Sequence, residues 1–225
     1  MRTSINFPID EVGRWPREIS SMDTRLLLIR HAHVDTGPSP GRLCGSLDLP
    51  LSAAGRAQLR ALGARLAADE APDALYTSTL RRAREVAEAL TRIWHRDLCL
   101  DDAVREIDCG RLDGMPIVEI EREYADLWAR NRAQIDDDFT WPDGESYRAF
   151  RQRVLDGLGH IAAAHRGQRV AVVTHAGVIA QVLGAIRGRP AAVWELDRPA
   201  PLSATEVTWA NGAPASVVAF NRRDW

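Results

Sequence analysis

The chain predicts an α/β domain built on a mainly parallel, helix-covered sheet. Three observations carry that prediction. Segments of strand character alternate with segments of helical periodicity along most of the chain. Two of the strands, Leu26–Arg30 and Arg169–Thr174, are apolar without alternation between their ends, the pattern of strands buried on both faces. A length of 225 residues, 45% hydrophobic and 27% charged, suits one soluble domain with a sizeable core.

The elements follow in order. Leu26–Arg30 is the first strand. Pro50-Leu51 lead to Ser52, which predicts the N-cap of a helix running to about Ala68 with Leu59, Leu62 and Leu66 on one face. Pro72-Asp73 precede a short strand, Ala74–Thr77, and a helix beginning near Thr79 carries Arg82, Val86 and Leu90. Leu98–Leu100 and Val104–Ile107 read as short extended pieces. Pro116 predicts the start of a helix reaching Arg132. The acidic run 136–138 and Trp141-Pro142-Asp143-Gly144 read as loop. A helix follows from Ser146 to about His165, closed by Gly167. Strand Arg169–Thr174, helix Val178–Ile186 and strands Ala204–Trp209 and Ser216–Phe220 complete the chain. Pro8 and Pro16, upstream of Met22-Asp23-Thr24, predict a flexible N-terminal extension over 1–21 and a single domain over 22–225.

Composition excludes several function classes. A net charge of −2 leaves no footprint for nucleic acid or a membrane surface. No apolar run reaches transmembrane length, and the first residues lack a signal peptide's apolar core. Cys44, Cys99 and Cys109 are too few and too oddly spaced for a disulfide framework and form no CxxC zinc pattern, which points to a cytoplasmic protein. All 29 basic residues are arginine, so catalytic lysine and Schiff-base chemistry are excluded. Nothing in the composition singles out a partner surface, and a homodimer is compatible with it.

His31 follows Arg30 at the end of the first strand, and His175 follows Thr174 at the end of a later one. Ligands of open α/β sheets bind outside the carboxyl ends of parallel strands, so two such strands suggest one crevice holding both imidazoles. A neutral imidazole can attack phosphorus and form a phosphohistidine. Arg30 beside it disfavours protonation of His31 and can grip phosphoryl oxygens with a bidentate fork. An isolated Arg-His pair at a strand end would more commonly cap a neighbouring carbonyl. An ordered set of further motifs overturns that reading.

Those motifs are Arg30-His31-Ala32, Arg42-Leu43-Cys44-Gly45 with Asp48-Leu49-Pro50-Leu51-Ser52, Ser78-Thr79-Leu80-Arg81-Arg82-Ala83, Arg105-Glu106-Ile107-Asp108-Cys109-Gly110, Asp143-Gly144-Glu145-Ser146 and Thr174-His175-Ala176-Gly177-Val178. In this order they resemble the histidine phosphatase superfamily, phosphoglycerate-mutase-like branch, from roughly Arg25 to Phe220. The resemblance implies a three-layer α/β/α sandwich with a mainly parallel central sheet. It implies a phosphomonoesterase acting on a small phosphorylated metabolite with neither cofactor nor metal. His31 is then the nucleophile, Glu106 the general acid, and Arg30, Arg82 and His175 the groups that hold the transferring phosphoryl. Arg42, Gly45, Glu145 and Ser146 fall in segments the family uses toward substrate, and the backbone at Ala176 and Gly177 offers donors at a helix start. Trp128, Trp141 and Tyr147 are expected near the pocket walls. Asp108 and Asp113 are the carboxylates that could stand in for Glu106.

Some positions depart from the family pattern. Ala32 replaces a Gly, Ala180 stands where many relatives place an Arg, and the Asn that often touches phosphate is missing from 33–37, where Thr36 or Ser39 can compensate. Three rival readings arise. Within the family, a 2,3-bisphosphoglycerate-dependent phosphoglycerate mutase is the close competitor. The short 107–144 segment and the His175-Ala176-Gly177-Val178 form resemble the phosphatases instead. A phospho-ligand binder would lack the nucleophile or the acid, and both are present. More remotely, His31, His33 and Asp35 form an H-x-H-x-D string of the kind that holds a hydrolytic metal, although Thr36 stands where such a site usually adds a further His.

Overall fold

The structure, a computed structural model, describes residues 20–38, 41–66 and 71–225. Most of the expected N-terminal extension lies outside the described residues, as does Ser39. In chain order the elements are β1 (Thr24–Arg30), α1 (Ala53–Leu66), β2 (Ala74–Thr77), α2 (Arg81–Trp94), β3 (Leu98–Leu100), α3 (Ile117–Glu123), α4 (Ala125–Ala133), α5 (Tyr147–Ala164), β4 (Arg169–Thr174), α6 (Ala176–Ile186), β5 (Ala204–Ala210) and β6 (Ala213–Arg222).

Among the described residues the strands form one sheet in the order β3-β2-β4-β1-β5-β6. The pairs from β3 through β1 are parallel, and β5 and β6 add an antiparallel edge. Alternate residues of β1 explain why it carries no polar face. Leu27 and Ile29 point to a cluster with Leu62 of α1 and Val86 and Leu90 of α2. Leu26 and Leu28 point the other way, to Val154 and Leu158 of α5 and Ile179 and Val182 of α6. Each of these side chains is at most 4% exposed, and burying one contributes about 1.5–3 kcal/mol. The architecture is therefore the expected α/β/α sandwich, its strands covered on both sides.

Local chemistry sets the ends. The Ser52 hydroxyl accepts the Gly55 N–H at 3.0 Å, and the Ser146 hydroxyl accepts the Ala149 N–H at 3.1 Å, as N-caps do. Asn211 and Gly212, at φ 52° and 80°, form the tight turn between β5 and β6. A third apolar cluster, with Phe139, Trp141, Tyr147 and Ile120 at its heart, lies outside the sandwich. Phe139 meets Trp141 edge-on at 5.1 Å between centroids and stacks on Tyr147 at 5.7 Å.

Two expected elements differ. Val104–Ile107 forms no strand. Asp102–Val104 forms a 3₁₀ turn because the Asp101 carboxylate accepts the Ala103 N–H at 2.8 Å, a local bond that outcompetes strand pairing. The helix expected from Pro116 to Arg132 is two helices, α3 and α4, broken at Tyr124 (φ −127°, ψ 40°). No Gly or Pro stands there. The bend wraps Tyr124, Leu127 and Trp128 onto the third cluster, so packing overrides local propensity.

The register places the site. Arg30 pairs with Thr174 in the parallel β1–β4 ladder, so His31 and His175 leave the sheet side by side. Thr77 of β2 pairs with Val173, which brings Ser78 to the same end.

Candidate active site

At the carboxyl ends of β1, β2 and β4 lies a cavity of about 640 Å³. His31, Arg30, Arg82 and Glu106 line its base. The His31 and His175 rings are 5.2 Å apart between centroids, tilted by 59°.

The tautomer of His31 follows from its partner. Its Nδ1 lies 2.7 Å from the Ala32 carbonyl oxygen, which can only accept, so Nδ1 carries the proton and Nε2 keeps the lone pair. Burial pushes the imidazole well below the usual histidine pKa, and the charges of Arg82 and then Arg30 push further. Burial and Arg82 thus act more strongly than Arg30, the cation adjacent in sequence. The His31 backbone is fixed as well. Its N–H donates to Thr174 O at 2.9 Å, and its carbonyl accepts the Leu202 N–H at 3.2 Å.

His175 is fully buried, and burial followed by Arg82 holds it well below its usual pKa. Its Nε2 lies 2.8 Å from the Ser78 hydroxyl, which also accepts the Leu80 N–H at 3.2 Å. When the hydroxyl gives its own hydrogen to Nε2, the His175 proton sits on Nδ1, a buried nitrogen with no protein partner. Such a donor suits a phosphoryl oxygen.

Arg82 is 1% exposed and donates to the carbonyls of Leu47 and Gly45 at 2.6 Å each. Arg30 donates to Pro199 O at 2.6 Å, and burial lowers its pKa to about 10 with Arg198 the strongest charge contributing. Both arginines keep a buried Nε with no partner. Two guanidiniums are thus held by carbonyls rather than by acids, and their charge is left for a ligand.

Glu106 approaches the start of α6. Its Oε2 accepts the Gly177 N–H at 3.0 Å, and Oε1 accepts its neighbour Ile107 N–H at 3.2 Å. Asp108 and Asp113, the possible substitutes, are committed elsewhere. Asp113 takes the N–H groups of Gly45 and Ser46, at 2.7 and 2.6 Å, and Asp108 takes that of Gly110 at 2.8 Å. Of Glu106, Asp108 and Asp113, only Glu106 lines the cavity.

Other expected site residues divide. Thr36, Arg42, Ala176, Gly177, Trp128, Trp141 and Tyr147 line the cavity. Arg42 is exposed and donates to Gly114 O at 2.8 Å. The Gly177 N–H is engaged by Glu106, so it positions the acid rather than the substrate. Gly45, Glu145 and Ser146 are off the cavity wall. Gly45 receives Arg82 and sits under Asp113, and Ser146 caps α5. Glu145 is gripped by Arg153 at 2.7 Å through both oxygens and takes the Asp108 N–H at 2.9 Å. Ser39 lies outside the described residues.

Residues missed from the sequence are Ser78, Arg153 and Arg198. Arg153 also donates to the carbonyls of Ala103, Arg105 and Glu106, bracing the acid's backbone. The metal-ligand string does not converge. His33 Nδ1 pairs with the Ser52 hydroxyl at 2.8 Å, and Asp35 takes the Gly37 N–H at 2.9 Å. Among the described residues no three His, Cys, Asp or Glu gather as a metal site, and no helix is long and apolar enough to cross a membrane.

Comparisons with known proteins accord with this geometry. The chain is 29% identical over 169 residues to a metal-independent phosphoserine phosphatase of Arabidopsis thaliana, covering 74% of this chain and 71% of that one. Its fold matches a mycobacterial glucosyl-3-phosphoglycerate phosphatase with a TM-score of 0.75 at 26% identity, over 88% of this chain and 99% of that one. It also matches an alpha-ribazole phosphatase from Shigella flexneri with a TM-score of 0.74 at 23% identity, over 88% and 96% of the two chains. Residues 26–222 match the family profile described as histidine phosphatase superfamily (branch 1), and the chain belongs to that superfamily.

Proposed function

We propose that this protein is a phosphomonoesterase that hydrolyses a small phosphorylated metabolite through a phosphohistidine on Nε2 of His31. The observation that carries it is the nucleophile: an imidazole whose Nδ1–H is fixed on Ala32 O, beside two arginines held by backbone carbonyls and, among the described residues, in no salt bridge. Nε2 attacks phosphorus while the bond from phosphorus to the ester oxygen breaks and Glu106 gives that oxygen a proton. Water then attacks the phosphohistidine, Glu106 takes its proton, inorganic phosphate leaves and His31 is neutral again. Arg30, Arg82 and the His175 Nδ1–H stabilise the equatorial oxygens in both steps. No step calls on a cofactor or metal. The names of the relatives span phosphoserine, glucosyl-3-phosphoglycerate and alpha-ribazole phosphate, which supports a small-molecule substrate rather than nucleic acid or a membrane surface. A cytoplasmic place of action accords with three free thiols, two of them on the cavity wall.

The test is an acid-sensitive label. Wild-type protein mixed with a slow ester and quenched in alkali carries phosphate on the His31 peptide by mass spectrometry, and His31→Ala carries none and loses nearly all turnover. Substantial turnover by His31→Ala overturns the assignment. Release of inorganic phosphate, with only weak interconversion of 2- and 3-phosphoglycerate after priming with 2,3-bisphosphoglycerate, separates phosphatase from mutase. Efficient primed interconversion with little free phosphate restores the mutase.

A further inference from the structure

The segment from Arg187 to Ser203 contributes Trp194, Glu195, Arg198 and Pro201 to the cavity wall, and Arg198 is a cation the chemistry above does not use. Asp197 is 3% exposed and pairs with Arg189 at 2.6 Å and with Arg187. Two residues on, the Pro199 carbonyl holds the Arg30 guanidinium at 2.6 Å. Four residues before Arg198, the N–H groups of Trp194 and Glu195 both donate to Gln134 Oε1 at 3.2 Å. Arg198 is therefore carried between fixed points. Its guanidinium lies over the Trp194 ring, 5.8 Å from the centroid, and reaches the cavity. Among the described residues no carboxylate or carbonyl takes its N–H groups.

Arg198 lies on the exposed part of the cavity wall. Of the charges acting on Arg30, that of Arg198 is the strongest, whereas on His31 it ranks below Arg82 and Arg30. It is exposed where Arg82 and His175 are buried. A leaving group departs opposite the attacking Nε2 and occupies the cavity beyond the phosphoryl cradle, whose wall includes Arg198. Charge balance says what that group carries. Among the described residues five arginines and three glutamates line the cavity, and Arg132 pairs with Glu195 at 3.2 Å. With Glu106 protonated for its role as acid, a phosphoryl dianion leaves one positive charge unanswered.

We propose that Arg198 is a specificity-determining residue that binds a carboxylate on the leaving group, so that the preferred substrate is the phosphate ester of a hydroxy acid. A planar guanidinium offers two parallel N–H donors that match a carboxylate's two oxygens. Stacking on Trp194 fixes its plane before binding and reduces the ordering cost. This rests on the phosphomonoesterase reading and adds the substrate class to it.

The experiment uses full-length protein and two ester pairs that differ at the carboxylate: O-phosphoserine against O-phosphoethanolamine, and 3-phosphoglycerate against glycerol 3-phosphate. The wild type is expected to favour the acid in each pair by tenfold or more in kcat/KM. Arg198→Ala is expected to collapse that ratio at least tenfold, chiefly through KM, and Arg198→Lys to restore part of it. A wild type that hydrolyses p-nitrophenyl phosphate but shows no preference within the pairs overturns this inference alone. So does an Arg198→Ala variant with an unchanged ratio, whether its overall rate falls or not. A preference for sugar bisphosphates over both acids overturns the carboxylate assignment. Absence of phosphatase activity on every ester overturns the phosphomonoesterase reading and this inference with it.

Discussion

Gly177→Ala tests the acid without touching it. A Cβ at position 177 falls on Glu106 Oε1 and comes within 3.0 Å of its carboxyl carbon and 3.3 Å of Oε2. The carboxylate must swing away, and the 3.0 Å bond from the Gly177 N–H is lost with it. A hydrogen bond to a charged group is worth about 1.5–3 kcal/mol, while Ala for Gly in a helix returns about 0.5–1 kcal/mol. The net loss of stability is then about 2.5 kcal/mol or less, a fall of roughly 5–10 °C at most in melting temperature. Activity is far more sensitive. General acid catalysis supplies about 10²–10⁴-fold, and a misplacement of about 1 Å can cost about 10²-fold. For alkyl phosphates kcat/KM should therefore fall about 100-fold. For p-nitrophenyl phosphate, whose leaving oxygen needs little protonation, it should fall by less than about tenfold. The second half-reaction still needs the carboxylate to deprotonate water, so the aryl ester should give a burst of nitrophenol in stopped-flow absorbance. Glu106→Gln should show the same leaving-group signature. A folded Gly177→Ala that keeps its kcat/KM on alkyl esters refutes the role given to the acid; equal losses on both esters would locate the damage in the phosphoryl cradle.

Three further outcomes are expected. His31 and His175 are buried with pKa values well below the usual 6.5, so below about pH 6.5 the unfolded chain binds protons that the folded one does not. Stability is then fully present above about pH 6.5 and lost as pH falls, and His31→Ala should make the slope of unfolding free energy against pH shallower by about one proton in urea titrations. Arg82→Met strands the carbonyls of Gly45 and Leu47, each at about 1–3 kcal/mol, so it should lower melting temperature and phosphate affinity together; an unaltered melting temperature would show that the cradle re-forms without it. Turnover should persist in excess EDTA because His33 and Asp35 are committed to Ser52 and Gly37; loss on chelation with recovery in zinc would instead favour a metal site at His31, His33 and Asp35.

The parts of this molecule that depend on short-range pattern were legible in advance. The bounds of Ala74–Thr77 and Arg169–Thr174 follow from flanking Pro-Asp and Gly and from unbroken apolar runs. His31, Arg82 and Glu106, from separate motifs, meet on one cavity wall, and the buried His175 ring lies 5.2 Å from that of His31. What escaped depends on contacts distant in sequence. The break at Tyr124 has no local cause. Gly45, Glu145 and Ser146 lie off the cavity wall, and motif segments do not show which of their residues face it. Glu145 serves instead as the partner of Arg153, which lies eight residues later and beneath the acid loop. Arg198 belongs to no motif, and only the folded loop reveals that Asp197 beside it turns to Arg187 and Arg189, leaving Arg198 with no carboxylate partner among the described residues. One signal went unread: Asn211-Gly212 between apolar runs announces the β5–β6 hairpin.

The pairing of Arg30 with Thr174 gives the site a built-in ruler. Neighbouring strands lie about 4.8 Å apart, and the two imidazoles, each one residue past that rung, end 5.2 Å apart between centroids. Side-chain substitution cannot reset a spacing written in backbone hydrogen bonds. The gap between nucleophile and companion donor is thus inherited with the sheet, and it should persist through any redesign that keeps the ladder. New substrates can be recruited only by rebuilding what stands above it, in the segments 107–144 and 187–203. For an engineer this divides the molecule cleanly: a calibrated floor to be left alone, and two walls to be diversified.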